Sequence, residues 1–279
     1  MVKYLLLGIV GIALGLFLAM QPKSGRVAGT PLSIMTYNIG DLERFRPTSQ
    51  EVSAVITKVG VPDVLLLQEV PGERTAANLA ERLGLAHYVY ANYKDMRGMG
   101  LAIISRRELC NREVLHFTGS PTGRGAILAD MDLDGMSVTL VSVHLDHIGA
   151  VRRSGDEMAV SLKKALGLLL NELTDDNIRS RSIREMVGWV RARRQDRTVV
   201  GGDFNTVPFT KAIRIMNESF RDSLWPTMDF LKGSYLKTTL PILPRIDYIF
   251  HSADVQATGG CVHSESLGDH YPVRADLAF

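Results

Sequence analysis

The chain has 279 residues, 46% hydrophobic and 22% charged, with a formal net charge of +2. Those values exclude a disordered, collagen-like or coiled-coil chain and leave enough apolar material for a sizeable core. Near-neutral charge gives no bulk signal for nucleic acid, and two cysteines, Cys110 and Cys261, exclude a zinc cluster or a disulfide framework while leaving one bridge open.

Lys3 precedes an uncharged run from Tyr4 to Met20, within the range a membrane-spanning helix uses. Ala19-Met20-Gln21 is a poor cleavage site for a signal peptide, and Val27-Ala28-Gly29 lies far downstream. The run has no polar face, which argues against a core helix. Residues 1–29 are therefore expected to form a hydrophobic anchor or signal helix with its linker, and 30–279 the functional domain. Lys3, Lys23 and Arg26 orient the anchor weakly, with the body exported; secretion after cleavage is the alternative.

From Pro31 onward apolar runs alternate with helical spacings. Ser33–Asn38 and Val64–Gln68 read as strands, and between them Val52, Val55, Ile56 and Val59 recur at helical spacing. A second helix covers about Arg74 to Leu83. Leu101–Ser105, Ala126–Leu133 and Ser137–His144 read as strands, with Asp134-Gly135 as a hairpin turn between the last two. Val199–Gly201, Arg245–His251 and Val273–Leu277 complete the set. Hairpins mixed with helical crossovers fit an α/β layered sandwich, two packed sheets with helices outside.

The stretch from Asp156 to Arg197 departs from this rhythm. Met158, Leu162, Ala165, Leu166, Leu169 and Leu173 make one helical stripe, and Ile183, Met186, Val187 and Val190 another, after a capping signal at Thr174-Asp175-Asp176. Both stripes read as core packing; the first, beside the His144 strand, has a lid or membrane-contacting helix as its alternative. Seven arginines between Arg179 and Arg197 are expected on a solvated face, with a membrane-surface or nucleic-acid patch as the alternative. Arginines outnumber lysines, 23 to 9, in the whole chain. Arg suits bidentate phosphate contact, but a GC-rich coding sequence gives the same skew.

Polar residues recur at the ends of apolar runs: Asn38, Glu69, His144, Asp203 with Asn205, Asp247, and Asp269-His270. Singly, each is an ordinary cap or turn residue, except that Asp247 inside an apolar run needs a partner. Together they offer hard oxygen ligands for Mg²⁺, or Mn²⁺, and two histidines for proton transfer or phosphate contact. No Gly-x-Ser-x-Gly elbow and no phosphate-cradling Gly-x-x-x-x-Gly-Lys loop is present. Metal-assisted attack by water is the chemistry these residues favour.

Six motifs then carry a resemblance: Met-Thr-Tyr-Asn-Ile (35–39), Leu-Gln-Glu-Val (67–70), Val-His-Leu (143–145), Gly-Asp-Phe-Asn (202–205), Arg-Ile-Asp-Tyr-Ile (245–249) and Asp-His-Tyr-Pro-Val (269–273). In this order they resemble the endonuclease/exonuclease/phosphatase family, from about Ser33 to the C-terminus. The resemblance implies a four-layered sandwich of two mixed β-sheets flanked by helices, hydrolysing phosphate esters with a divalent cation. It implies Glu69 as main metal ligand, Asn38 nearby on phosphate or water, and Asp269 completing the metal environment. Asp203 would orient or deprotonate the attacking water, helped by Asn205. His270, oriented by Asp247, would contact the phosphate, and His144 would contact phosphate or assist the leaving group. Arg124, in Gly-Arg-Gly-Ala outside the six motifs, is expected either to add a phosphate contact or to be a structural surface arginine. DNA-repair members usually carry an acidic residue where this chain has Gly40, a tyrosine where it has His144, and Ser-Asp-His where it has Gly268-Asp269-His270. The pattern is therefore closer to the phosphodiesterase, sphingomyelinase-like and phosphatase branches, with an endonuclease as the alternative. The expected partner is a phosphate ester, a small molecule or a lipid, the lipid only because the anchor would hold the site near a bilayer. A catalytically inactive membrane-surface module fits poorly, since all six motifs keep their polar residues.

Overall fold

Strands that are apolar at nearly every position end up buried on both faces, and this governs the centre of the molecule. The structure, a computed structural model, describes residues 29–40, 47–94, 96–147, 171–193, 196–237 and 243–279. β1 (Pro31–Asn38) and β2 (Val64–Val70) pair in parallel, joined through α1 (Ser49–Val59), whose N-terminus carries a reciprocal Thr48–Glu51 capping box. Helix α2 (Glu73–Leu83), ended by Gly84 in the left-handed conformation, leads to β3 (His87–Tyr93) and β4 (Met96–Ser105). β11 (Gln256–Val262) and β12 (Val273–Ala278) complete the first sheet, in the order β11-β12-β1-β2-β4-β3.

The second sheet contains β5 (Leu109–His116), β6 (Gly125–Leu133), β7 (Met136–His144), β8 (Thr198–Asp203), β9 (Arg221–Asp222) and β10 (Asp247–His251), in the order β5-β6-β7-β8-β10-β9. The β6–β7 turn places Asp134 and Gly135 at φ 55° and 86°, as a tight primed turn requires. β7 and β8 are parallel, and α3 (Ile178–Ala192) lies between them in the chain; α4 (Lys211–Asn217) follows β8.

Three apolar layers hold these elements. Ile34, Leu66 and Ile103 of the first sheet meet Ile127, Leu140 and Ile249 of the second in the central core. Val52, Ile56 and Leu79 of α1 and α2 cover Leu65, Leu67 and Ile104 on one outer face. Ile183, Met186 and Ile213 of α3 and α4 cover Val141, Val200 and Phe250 on the other. The expected four-layered sandwich of mixed sheets is present. The expected N-terminal hydrophobic helix, and the stripe from Met158 to Leu169, lie outside the described residues. Among the described residues no helix is long and apolar enough to cross a membrane.

The arginine-rich stretch is not one solvated face. Arg179 is buried, bonding Glu172 and donating to the carbonyls of Asp146 and His147 at 3.3 and 2.9 Å. Arg193 bonds Glu113 and Asp130 on β5 and β6. The cap of α3 is Asn177, whose side chain accepts from Ser180 N–H at 3.0 Å, while Asp176 takes Ser180 Oγ and Arg184 instead. Cys110 and Cys261 are both free thiols, so the open bridge is not formed.

Candidate active site

Strand register brings the polar chain-ends together. Asn38 pairs with Gln68, which puts Glu69 one step beyond; His144 pairs with Asp203 across the parallel β7–β8 ladder, and Asp247 with Asp203 across the antiparallel β8–β10 ladder. Gly125 pairs with His144, so Arg124 enters at the same end. His270 is fixed by a bridge to Tyr235. The structure thus gathers Asn38, Glu69, Arg124, His144, Asp203, Asn205, Asp247 and His270, all but fully buried, at one end of the sandwich. Asp269 stands at the rim, 3.9 Å from His270 Nε2 and 3.4 Å from Lys237 Nζ.

Glu69 is held at three points. Its backbone adopts φ 55°, a conformation non-glycine residues rarely take. Its N–H donates to the Tyr93 hydroxyl at 3.1 Å, and its Oε1 accepts from Arg124 Nη2 at 3.1 Å. A Cβ placed on Gly40 would stand 2.1 Å from Glu69 Oε2, so the carboxylate rests on the bare glycine backbone. Where DNA-repair members carry an acidic side chain, this chain has no room for one without moving Glu69.

Asp203 is the hub. Its Oδ2 accepts from Asn38 Nδ2 at 3.0 Å and its Oδ1 from the Asn205 N–H at 2.9 Å. His144 Nε2 and His270 Nε2 stand 3.3 and 3.6 Å from Oδ2. Asn205, at φ 48°, donates from Nδ2 to the Leu145 carbonyl at 2.8 Å. His270 Nδ1–H donates to Asp247 at 2.9 Å, and Asp247 is positioned by Ser234 Oγ, which accepts from the backbone N–H of Ile246 and Asp247 at 3.0 Å each.

Burial and neighbouring charge tune these groups in opposite directions. Burial raises the Glu69 carboxyl, Arg124 offsets part of the rise and Asp203 adds to it. Asp203 is likewise raised by burial, against the pull of His270 and with a push from Asp247. Burial works to lower His270, but the Asp247 and Asp203 charges outweigh it and hold the imidazolium up to about 10. His144 is driven well below its ordinary value by burial and then by Arg124, so it is neutral.

Two side-chain sets bring ligand atoms within 4.8 Å of one another, Glu69–His144–His147 and Asp203–Asp247–His270; Asp269 belongs to neither. A charged His270 offers no lone pair, so the second set contributes carboxylate oxygens only. Glu69, Asp203 and Asp247 are three buried carboxylates facing two buried cations, Arg124 and His270. The burial cost on Glu69, which Arg124 only partly offsets, is what a hard divalent cation would relieve. The donor set therefore fits such an ion.

Composition and periodicity missed three residues of this site. Tyr93, on the unread strand β3, bonds both Glu69 and His144; the alternation of Tyr88 and Tyr90 in that segment was the available signal. His147, at the exposed rim, and Ser234, buried behind Asp247, sit in segments without periodicity.

The family model described as Endonuclease/Exonuclease/phosphatase family matches residues 35–270, well over half the chain. The chain belongs to this family. Members of the endonuclease/exonuclease/phosphatase family are typically metal-dependent hydrolases, among them phosphodiesterases and nucleases. Among solved structures, the family protein from Beutenbergia cavernae DSM 12333 is 21% identical, with a TM-score of 0.65 over 90% of this chain and 72% of that one. The family protein from Bacteroides vulgatus is 17% identical, with a TM-score of 0.67 over 90% and 99%. D. rerio TDP2 complexed with single strand DNA product is 18% identical, with a TM-score of 0.65 over 90% and 100%. At these identities the likeness shows the fold. No curated protein matches the chain.

Proposed function

We propose that the chain is a divalent-metal-dependent phosphoesterase, cleaving a phosphodiester or phosphomonoester by attack of water on phosphorus. One observation carries the reading. Arg124 is fully buried, bonds Glu69 through Nη2 alone, and leaves Nε and Nη1 without a hydrogen-bond partner among the described residues. A buried guanidinium keeps spare donors where an anion is to be bound, and this one is fixed against the carboxylate best placed to hold a cation.

Glu69, with Asn38 and Asp269 nearby, would hold Mg²⁺ or Mn²⁺. When bound, the ion would draw charge from the phosphoryl oxygens and orient the ester. Arg124 donates to a phosphoryl oxygen, and the His270 imidazolium, aligned by Asp247, presents Nε2–H to another. Asp203 orients water and takes its proton, a role its raised affinity for protons suits. As the water oxygen bonds phosphorus the ester P–O bond breaks; the departing oxygen takes a proton from solvent and Asp203 returns its own to solvent, so the net change is addition of water across that bond. The apolar run Tyr4–Met20 supports an exported body held at a membrane, which we propose with the activity and which favours lipid or small-molecule esters over nucleic acid.

The test is turnover by the purified full-length chain with Mg²⁺ and with EDTA on sphingomyelin vesicles, inositol phosphates, a nitrophenyl phosphodiester and supercoiled DNA. Metal-dependent turnover lost in Glu69→Ala and in His270→Ala is expected. DNA nicking alone would move the reading to a nuclease, and a chain that binds no Mg²⁺ or Mn²⁺ would overturn it.

A further inference from the structure

The Tyr93 hydroxyl has one proton to give and is buried where few groups can take it. It accepts the Glu69 N–H at 3.1 Å and lies 2.7 Å from His144 Nδ1. If Nδ1 carried the proton and donated, the phenol proton would have no acceptor among the described residues. The phenol must therefore donate to Nδ1, and a neutral His144 then carries its proton on Nε2. The far side of the ring agrees. Nε2 faces Asp203 Oδ2 at 3.3 Å and Glu69 Oε1 at 4.0 Å, where a bare lone pair would meet two carboxylates. Neither contact is aligned as a hydrogen bond, so the fully buried Nε2–H lacks a bonded partner among the described residues. The Arg124 guanidinium lies 4.4 Å above the Tyr93 ring and closes the phenol off on that side.

We propose that Tyr93 is a positioning residue that locks His144 in the Nε2–H tautomer. His144 then donates a hydrogen bond to a substrate oxygen, and serves neither as a metal ligand nor as the acid that protonates the leaving group. With Nδ1 engaged and Nε2 protonated, the ring has no lone pair for a cation, although proximity alone groups it with Glu69 and His147. Giving up the Nε2 proton from a neutral ring would leave an imidazolate, which excludes proton donation in turnover. The identity of the substrate oxygen rests on the phosphoesterase reading; the tautomer and the lack of ligation do not.

The test is long-range ¹H–¹⁵N spectroscopy of metal-free, ¹⁵N-histidine-labelled full-length protein, with His144 assigned through His144→Gln. An unprotonated, hydrogen-bonded Nδ1 and a protonated Nε2 are expected, with the Nδ1 signal moving in Tyr93→Phe; a proton on Nδ1 would overturn the proposal. Mn²⁺ affinity of His144→Gln should stay within about twofold of the parent, because no ligand is lost. A tenfold or greater loss would mark His144 as a ligand and overturn it. In turnover, His144→Ala should fall by about 10²–10³-fold, as when one donor to a developing charge is removed. His144→Gln, which keeps an N–H at a similar reach, should fall less, and an equal fall would refute the donor role. Should the parent hydrolyse no phosphate ester, spectra and Mn²⁺ titration still decide the tautomer, so the two readings fail separately.

Discussion

Substituting Gly40 by alanine should injure the site without replacing any of its polar groups. The added Cβ would lie 2.1 Å from Glu69 Oε2, 2.6 Å from its Cβ and 2.9 Å from its Cδ. An ordinary contact needs Glu69 to retreat by about 1 Å, and overpacking of that kind costs about 1–3 kcal/mol. Glu69 has little freedom to retreat, being tied through its N–H to Tyr93, through Oε1 to Arg124, and by a backbone at φ 55°. At about 2–4 °C per kcal/mol for a domain of this size, Tm should fall by about 2–12 °C. Because a misplacement of about 1 Å can cost about 10²-fold in rate, turnover should fall further than stability implies. Thermal unfolding in EDTA and Mn²⁺ titration of Gly40→Ala read the two effects apart. Unchanged Tm and unchanged Mn²⁺ affinity would refute the idea that Glu69 is seated on Gly40.

Three further predictions concern the scaffold. Gly188 lies exposed inside α3 with nothing within 4 Å of an added Cβ, so Gly188→Ala should stabilise by about 0.5–1 kcal/mol in denaturant unfolding. Asp222 is the buried partner of Arg245, whose guanidinium lies 4.3 Å over Tyr248 and 5.0 Å over Phe230. Asp222→Ala leaves that charge unpaired and should cost about 3–5 kcal/mol, and a loss below about 1 kcal/mol would contradict it. Burial lowers the His251 pKa, with the Ser252 carbonyl opposing, so the unfolded chain binds more protons at this site below the ordinary value of 6.5. Stability should therefore fall as pH drops from 7 to 5, and His251→Gln should flatten that slope by at most about 1.4 kcal/mol per pH unit. Identical slopes in parent and variant would show that His251 does not titrate on unfolding.

The strands that run through the middle of the molecule were legible because being buried on both faces demands apolar residues at most positions, unbroken in Val64–Leu67 and interrupted only by Thr139 and Ser142 in Val138–Val143. β5 and β11 were not, since an edge strand with exposed Arg112 and Glu113, or one carrying Gly259 and Gly260, is held by ladder hydrogen bonds that need no pattern. The same logic misplaced the arginines. Composition shows that Arg179 and Arg193 are charged, but only the fold brings Glu172, Glu113 and Asp130 against them.

The site divides in the same way. Asn38, Glu69, His144, Asp203, Asp247 and His270 were readable as polar residues interrupting apolar runs, a placement that costs free energy unless partners wait there. What each partner is, and hence each protonation state, is a property of distances between segments far apart in the chain. His270 is charged because Asp247 and Asp203 converge on it, and His144 is neutral because burial and Arg124 leave it so. Tyr93 belongs to the site through its hydrogen bonds to Glu69 and His144 and the Arg124 guanidinium over its ring, and Gly40 through the carboxylate resting on it. Residue types and their order determined which chemistry the chain can carry. Packing two sheets face to face decided which groups share a proton, because Coulomb and hydrogen-bond energies depend on spatial separation and burial, which linear order does not encode.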